Sequence, residues 1–275
     1  MMKKILVVGA VSMLLASSTA MAGQLDAYKN MLANKQCTIK YEYIYQDERD
    51  KFVTDIDRYV MKYTAKSETE EKPNFAGVIV LSGDNSYTER ELGPNHYCEI
   101  KKDGYVYPFK RFETDKGIKY QGNKEGQNGI LAFGAPSDNK VEAHPVNDLR
   151  ELRYGNEYGG GEIATMLDVI HKDETALRPG KVYWLAASGS LSSGLTYEDY
   201  QWAGANGDVD LIRYYFNQGA LTKIASVHYV KKSDGSVSGK HYVVNIKEFS
   251  SVPDENYLKL PEALKDVTKY DKEGK

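Results

Sequence analysis

The sequence predicts a protein of the α+β class that is mostly β, with a large antiparallel sheet and few helices. Three observations support this prediction: apolar and polar residues alternate in many short runs, turn signals separate these runs at intervals of about ten residues, and tyrosine is abundant. The 275 residues include 22 Tyr against 7 Phe and 2 Trp. Tyrosine suits a half-buried strand because its ring packs while its hydroxyl reaches water.

Composition excludes several classes of protein. The hydrophobic fraction is 41% and the formal net charge is only −3, whereas a disordered chain would be less apolar and more unbalanced in charge. The isoelectric point is near 6.0, and a strong nucleic-acid binder would usually be basic. We therefore expect a globular protein that does not bind nucleic acid.

The first 22 residues have the three parts of a secretory signal peptide. Lys3 and Lys4 precede an apolar run from Ile5 to Leu15, and the small residues that follow end in Ala20-Met21-Ala22. A membrane anchor would need about 20 apolar residues, so a cleaved signal is favoured over a membrane span. We expect cleavage after Ala22, a single domain over residues 23–275, and a periplasmic or secreted protein that is not an integral membrane protein.

A short amphipathic helix is predicted directly after the signal. Apolar residues recur there at three- and four-residue steps, namely Leu25, Tyr28, Met31 and Leu32.

The period changes to two residues from Cys37, which predicts a strand. Ile39, Tyr41, Tyr43 and Tyr45 share one face of it. Residues 52–65 fit either a helix or a strand, with a weak preference for the strand.

A β-meander is predicted between residues 75 and 120. Four turn signals divide it, at Ser82–Asn85, Gly93–Asn95, Lys102–Gly104 and Asp115–Gly117. The Gly- and Asn-rich residues 122–129 then interrupt the pattern, and we expect irregular connections over 130–158. Residues 161–171 predict a second helix.

Five more strands are predicted after Pro179-Gly180. They cover residues 182–187, 196–202, 211–216, 221–232 and 240–249. If Asp234-Gly235 forms a two-residue turn, His228 lies opposite His241. Two histidines could share a transition metal, but further ligands are lacking, so ordinary ring side chains on a hairpin are the preferred interpretation.

The two cysteines, Cys37 and Cys98, predict a disulfide bond, because an exported protein meets an oxidising environment. Such a bond would contribute about 4 kcal/mol to stability in chain-entropy models. The alternative is two free buried thiols.

Several runs in the C-terminal third resemble a known family. They are Gly194–Tyr200, Arg213–Leu221, Phe249-Ser250, Pro253-Asp254 and Leu258–Pro261. In this order they resemble the periplasmic lipoprotein-carrier superfamily, of the LolA/LolB type and its outer-membrane lipoprotein-sorting relatives, over residues 24–46 and 180–262. The resemblance implies an open half-barrel whose concave side is covered by helices. It also implies an acyl-bearing ligand, such as a lipoprotein, held without a cofactor or covalent chemistry.

We therefore predict an exported, non-enzymatic carrier that sequesters a hydrophobic or acylated ligand in an apolar concavity. Transient contact with membrane components fits this activity. The candidate wall residues are Tyr41, Tyr43, Val182, Trp184, Phe216, Leu221 and Ile224. Ordinary sheet packing is the other interpretation of the tyrosines.

The main alternative is a structural or protein-interaction module of the cell envelope with a self-filled interior. A hydrolase is a further alternative, although the glycines at 159–161 and the serines at 188 and 190 match no phosphate-binding or nucleophile motif. No cofactor, metal or catalytic residue is predicted.

Overall fold

A computed structural model describes residues 23–48, 75–92, 94–125, 131–133, 140–145, 183–205, 207–231, 233–235, 237–264 and 266–269. The predicted signal peptide and the segments 52–65 and 161–171 lie outside these residues.

The first element of the described residues is helix α1 (Gln24–Ala33). The first eight strands are β1 (Gln36–Glu48), β2 (Phe75–Ser82), β3 (Asn85–Leu92), β4 (Asn95–Lys102), β5 (Tyr105–Thr114), β6 (Gly117–Glu125), β7 (Leu131–Phe133) and β8 (Val141–Pro145). The remaining strands are β9 (Trp184–Ser190), β10 (Thr196–Ala203), β11 (Val209–Asn217), β12 (Ala220–Lys231), β13 (Val237–Ser250) and β14 (Val267–Lys269), and a 3-10 turn spans Glu262–Leu264.

All fourteen strands belong to one open sheet. Its order is β14-β8-β5-β4-β3-β2-β1-β13-β12-β11-β10-β9, and β6 and β7 branch from β5. The pairs are antiparallel except for β14 with β8. The first strand therefore lies in the middle, between β2 and the last long strand, β13. The predicted fold class is confirmed: the protein is mostly β, with a large antiparallel sheet that does not close.

Two-residue turns join several neighbouring strands where the sequence predicts them. Asp103-Gly104 and Gln218-Gly219 each have positive φ at both residues, between 50° and 85°. This is the pattern of type I′ turns, whose twist matches that of the flanking strands. Lys102 therefore pairs with Tyr105, and Asn217 with Ala220.

The β12–β13 hairpin differs from its prediction by one residue. Lys231 pairs with Val237, so five residues, and not two, separate the last paired positions of the hairpin. An odd number of loop residues moves the register by one position. His241 is consequently opposite Val227, and His228 is opposite Lys240. The predicted opposition of His228 and His241 is wrong.

The stretch from 122 onward also differs from its prediction. Strand β6 continues to Glu125, and β7 and β8 lie within residues 130–158, where irregular connections were expected. These strands form because they extend a sheet edge that already exists, and a partner strand can override weak local propensity.

Two hydrophobic cores lie on opposite faces of the sheet. The helix-side core consists of Leu25, Tyr28, Leu32, Cys37, Ile39, Tyr41, Tyr43, Tyr200, Ile212, Tyr214, Phe216, Leu221, Ile224 and Val244. The C-terminal core consists of Val80, Tyr87, Cys98, Ile100, Tyr107, Phe109, Val141, Ala143, Leu258 and Leu264. Strand β2 contributes to both: Ile79 and Leu81 pack on the helix-side core, and Val78 and Val80 on the other. Because strand side chains alternate between faces, the two cores lie on opposite sides.

Each core is covered by a different segment: helix α1 covers the helix-side core, and the residues that follow β13 cover the C-terminal core. On the helix side, the Tyr28 hydroxyl accepts the Leu221 N–H at 2.7 Å and donates to the Gly219 carbonyl at 3.2 Å. On the other side, the Thr38 hydroxyl accepts the Asp254 N–H at 2.8 Å and donates to the Val252 carbonyl at 3.0 Å. Strand β1 therefore anchors the segment that follows β13.

Candidate functional site

The structure brings five of the seven predicted wall residues together. Tyr41, Tyr43, Phe216, Leu221 and Ile224 are all buried in the helix-side core. Three of them come from the C-terminal strands β11 and β12, and two from β1. Tyr41 and Tyr43 share a face as the alternation in the sequence predicts, whereas Leu221 and Ile224 share one because the register shifts between them. The role of the five residues in ligand binding stays a prediction.

Helix α1 packs against part of this wall, at Phe216 and Leu221. The Tyr28 ring lies 6.2 Å from the Phe216 ring and 4.8 Å from the Phe249 ring, measured between centroids. Leu25 and Leu32 are buried in the same cluster. The predicted wall therefore contacts the protein's own helix.

The other two predicted wall residues are placed differently. Val182 lies outside the described residues. Trp184 begins β9, at the end of the sheet path, and is 46% exposed, with its neighbour Leu185 43% exposed. Trp184 is therefore not part of the buried cluster.

The ring of Tyr41 lies over strand β2 at Gly77. A Cβ atom at Gly77 would overlap the Tyr41 ring and the Glu89 carbonyl. Burial raises the pKa of the Tyr41 hydroxyl. The tyrosine therefore stays protonated, and its ring occupies space that a side chain at position 77 would need.

The predicted disulfide is absent from the structure, where Cys37 and Cys98 are free, buried thiols. Cys37 lies in β1 and Cys98 in β4, and β2 and β3 separate them. Three strand spacings amount to about 14 Å, while a disulfide needs Cα atoms within roughly 7 Å. The two cysteines also belong to cores on opposite faces. The alternative of two free thiols is the one that the structure supports.

A buried polar cluster in β3, β4 and β5 was not predicted from the sequence. We call Tyr87, Glu89, His96, Cys98 and Arg111 the Glu89 cluster. One Glu89 oxygen lies 2.5 Å from Arg111 Nη2 and 2.6 Å from His96 Nδ1. The other accepts a hydrogen bond from the Tyr87 hydroxyl, which is also 3.3 Å from Cys98 Sγ.

Electrostatics fix the ionisation of several of these groups. Burial lowers the pKa of the Arg111 guanidinium, but the Glu89 carboxylate more than offsets this, so the net pKa is raised. Burial, followed by the nearby Cys98 and Glu89, raises the pKa of Tyr87. Burial also raises the pKa of the Cys98 thiol to about 12. A thiol of that pKa is not a nucleophile at neutral pH, because the thiolate is the reactive species.

The Glu89 cluster is therefore suited to holding strands together and not to covalent chemistry through Cys98. The carboxylate has a cation and a hydroxyl donor as partners, as a buried charge requires. The sequence did contain a signal for part of it. The predicted turn at Asp103-Gly104 fixes the register that places His96 opposite Arg111.

A second buried ion pair joins β10 and β11. Arg213 Nε and Nη2 each donate to an Asp199 carboxylate oxygen at 2.6 Å, and both residues are buried. The guanidinium carbon lies 4.1 Å from the centre of the Tyr197 ring. A planar guanidinium that binds a carboxylate through two parallel hydrogen bonds, and stacks on an aromatic ring, allows only one relative orientation of the two side chains. This pair fixes the pairing of two strands that also supply Tyr200, Ile212 and Phe216 to the helix-side core.

The described residues define a mostly β protein with an open antiparallel sheet, two cores on opposite faces and two internally paired groups of buried charges. No family model matches the sequence, and no curated protein is significantly similar to it. Among the helices of the described ranges, none has the length and apolar character to cross a membrane. The resemblance to the lipoprotein-carrier superfamily stays a prediction.

Proposed function

We propose that this protein is an exported, non-enzymatic interaction module of the cell envelope, with an interior filled by its own side chains. One observation carries the proposal: five predicted wall residues are buried in the helix-side core, in the same cluster as Leu25, Tyr28 and Leu32 of helix α1. A carrier of an acyl chain needs an apolar cavity that is open to its ligand. A core packed at ordinary protein density leaves no such space.

Export is supported by the order of charged, apolar and small residues in 1–22. The absence of enzymatic activity is proposed because two groups of buried charges, the Glu89 cluster and the Asp199–Arg213 pair, are each paired internally. Paired, buried groups stabilise the fold and leave little reactivity for a substrate.

Strand β9 is proposed as the contact with a partner protein. Residues 184–188 of this strand are exposed, and Trp184 and Leu185 are large apolar groups. An extended segment of a partner could add to such an edge by backbone pairing, with the indole as an apolar anchor.

Displacement of a fluorescent fatty-acyl probe tests the filled interior. The purified protein beginning at Gly23 would be titrated with the probe, and native mass spectrometry would be used to look for co-purified lipid. We expect no saturable binding. Saturable binding that is lost in folded Ile224→Glu would instead establish an acyl-binding interior and overturn the proposal.

Site-specific crosslinking tests the partner contact. A photo-crosslinking amino acid would replace Trp184 in exporting cells, with Ile118, which is 53% exposed, as the matched position. We expect a protein adduct of one defined mass at position 184 and none at 118. Equal adducts at both positions, or none at either, would contradict the assignment of β9.

The second candidate function is that of a carrier for a hydrophobic or acylated ligand, such as a lipoprotein. The exposed pair Trp184 and Leu185 favours it, because an acyl chain could bind there outside the core. The variant Trp202→Phe leaves Trp184 as the only tryptophan. A blue shift of its emission with acylated peptide, absent with the unacylated peptide, would select the carrier over the protein-interaction module.

A further inference from the structure

The carboxylate of Glu198 lies at the beginning of helix α1. Glu198 is in β10 and is only 1% exposed. Its Oε1 accepts the backbone N–H groups of Gly23 at 3.1 Å and Gln24 at 2.9 Å. Its Oε2 accepts the Tyr200 hydroxyl at 3.3 Å. The negative charge is thus placed at the positive end of the helix dipole.

Within the described part of the chain, this carboxylate has uncharged donors only. Lys29 Nζ reaches it indirectly, through the Tyr200 hydroxyl at 3.3 Å, and its own ion pair is with Asp26 Oδ1 at 3.0 Å. A buried carboxylate is costly unless a cation pairs with it. Glu198 therefore lacks the type of partner that Glu89 and Asp199 have.

The sequence predicts a peptide bond to be cut at this place. Cleavage after Ala22 would make the Gly23 nitrogen the first atom of the mature chain. That nitrogen is the one 3.1 Å from Glu198 Oε1.

We propose that removal of the signal peptide completes this site, because the new α-ammonium group of Gly23 becomes the cationic partner of Glu198 and fastens α1 to the sheet. The proposal rests on the export that the proposed function includes. In the cleavage, water adds across the Ala22–Gly23 bond. The carbonyl carbon of Ala22 takes the hydroxyl, and the Gly23 nitrogen takes the hydrogen and then a solvent proton. The export-route peptidase supplies the catalysis.

Glycine at position 23 suits this arrangement. Before cleavage its φ is +106°, a conformation that side chains disfavour, and a Cβ atom there would lie 3.0 Å from Asp26 Oδ2. A residue without a side chain avoids this crowding and lets the nitrogen approach Glu198.

The pair has a definite pH dependence. The groups facing it are Glu198 and Tyr200 from β10, and Asp26 and Lys29 from α1. Burial and Glu198 raise the pKa of Tyr200, so its hydroxyl remains a donor. An opposite charge raises the pKa of an α-amino group above its ordinary value of about 8. The stabilisation is then complete below about pH 8 and is lost as pH rises through the raised pKa.

The test compares two forms of the mature chain that differ in one charge. Both begin at Gly23, one with a free amine and one acetylated, so that the acetyl amide mimics the bond to Ala22. A tag whose protease leaves Gly23 first gives the free form without export. We expect the free form to melt about 3 °C or more above the acetylated form at pH 6.5. This difference should vanish in Glu198→Gln and persist in the control Glu91→Gln, whose carboxylate is exposed.

Equal melting temperatures for the two wild-type forms would overturn the proposal, as would a difference that survives in Glu198→Gln. If Glu198→Gln does not fold, the wild-type forms decide alone, because their difference must disappear at pH 10. The intact mass of exported protein tests cleavage separately, and a start other than Gly23 overturns the processing step. Neither measurement depends on acyl probes or partner adducts. A failure of the proposed partner interaction can therefore be told apart from a failure of the Gly23–Glu198 pair.

Discussion

The helix-side core and the C-terminal core use the same sheet in different ways. The first is built from aromatic and aliphatic side chains and is covered by α1, which the chain supplies before its first strand. The second contains a carboxylate, a histidine and an arginine close to its apolar residues, and it is covered by the segment that follows the last long strand. The Tyr257 ring of this segment packs at a tilt against the ring of Tyr87, a member of the Glu89 cluster, with 4.9 Å between the ring centroids.

This difference between the two cores shows how one open sheet can bury both of its faces. An antiparallel sheet needs a cover on each face that is not solvated. Here the two described ends provide covers on opposite faces, and strands β1 and β2 lie between the two halves. Loss of packing should damage the helix-side core, whereas loss of charge pairing should damage the C-terminal core.

The largest effect is expected from Phe216→Ala, which deletes a fully buried ring under α1. Such truncations cost about 3–5 kcal/mol because they remove apolar contacts and leave a cavity. Urea unfolding would measure the loss. The exposed Ile118→Ala should change stability by less than about 0.5 kcal/mol. A Phe216→Ala loss as small as that of the control would show that α1 does not seal the core.

The next largest effect is expected from Glu89→Gln. It leaves the Arg111 and His96 side chains without their carboxylate, and breaking a buried pair costs about 3 kcal/mol. Glu113→Gln is the matched control, because Glu113 is 64% exposed and lies 3.8 Å from His96. Its exposed pair should contribute at most about 1 kcal/mol. Similar losses for both variants would refute the dependence of the C-terminal core on its buried charges.

Alkaline pH should weaken the helix-side core through Cys37. Burial raises the pKa of its thiol from 9.0 to about 11. A raised folded pKa means that the stabilisation is complete below pH 9 and is lost as pH rises toward 11. We expect the free energy of unfolding of wild type to fall between pH 9 and pH 11. Over the same range Cys37→Ala should lose about 1–3 kcal/mol less.

Counting the reactive thiols tests whether the two cysteines are free. Both cysteines should react with an alkylating reagent after denaturation without reductant, because neither is in a disulfide. In the folded protein at pH 8 both should react slowly, since burial disfavours the thiolate. A count of zero thiols after denaturation would restore the disulfide that the sequence predicts.

The smallest effect is expected from Tyr28→Phe, which leaves the ring in place and removes the hydroxyl that binds the β11–β12 turn. The Leu221 N–H then loses its partner, at a cost of about 1–2 kcal/mol. Tyr105→Phe is the control, since the described structure shows ring contacts for this residue and no hydroxyl bond. If both variants were equally stable, the hydroxyl contact would not fasten α1.

The sequence by itself determined the local elements, because they depend on periodicity and turn chemistry. The short helix from Leu25 to Leu32, the shared face of Tyr41 and Tyr43, and the turns at 103–104 and 218–219 all follow from side-chain spacing and glycine. Whether the residues 1–22 are removed stays a prediction, and so does the family resemblance.

Only the tertiary structure decided which strands are neighbours and what covers each face. Strand order placed Cys37 and Cys98 three strands apart, although each was correctly expected in a strand. A separation of five residues between the last paired positions, and not of two, set the register at His228 and His241. The Glu89 cluster and the Glu198 site join residues separated by up to 175 positions. Such contacts depend on how the whole sheet is assembled, and a two-residue alternation carries no information about that assembly.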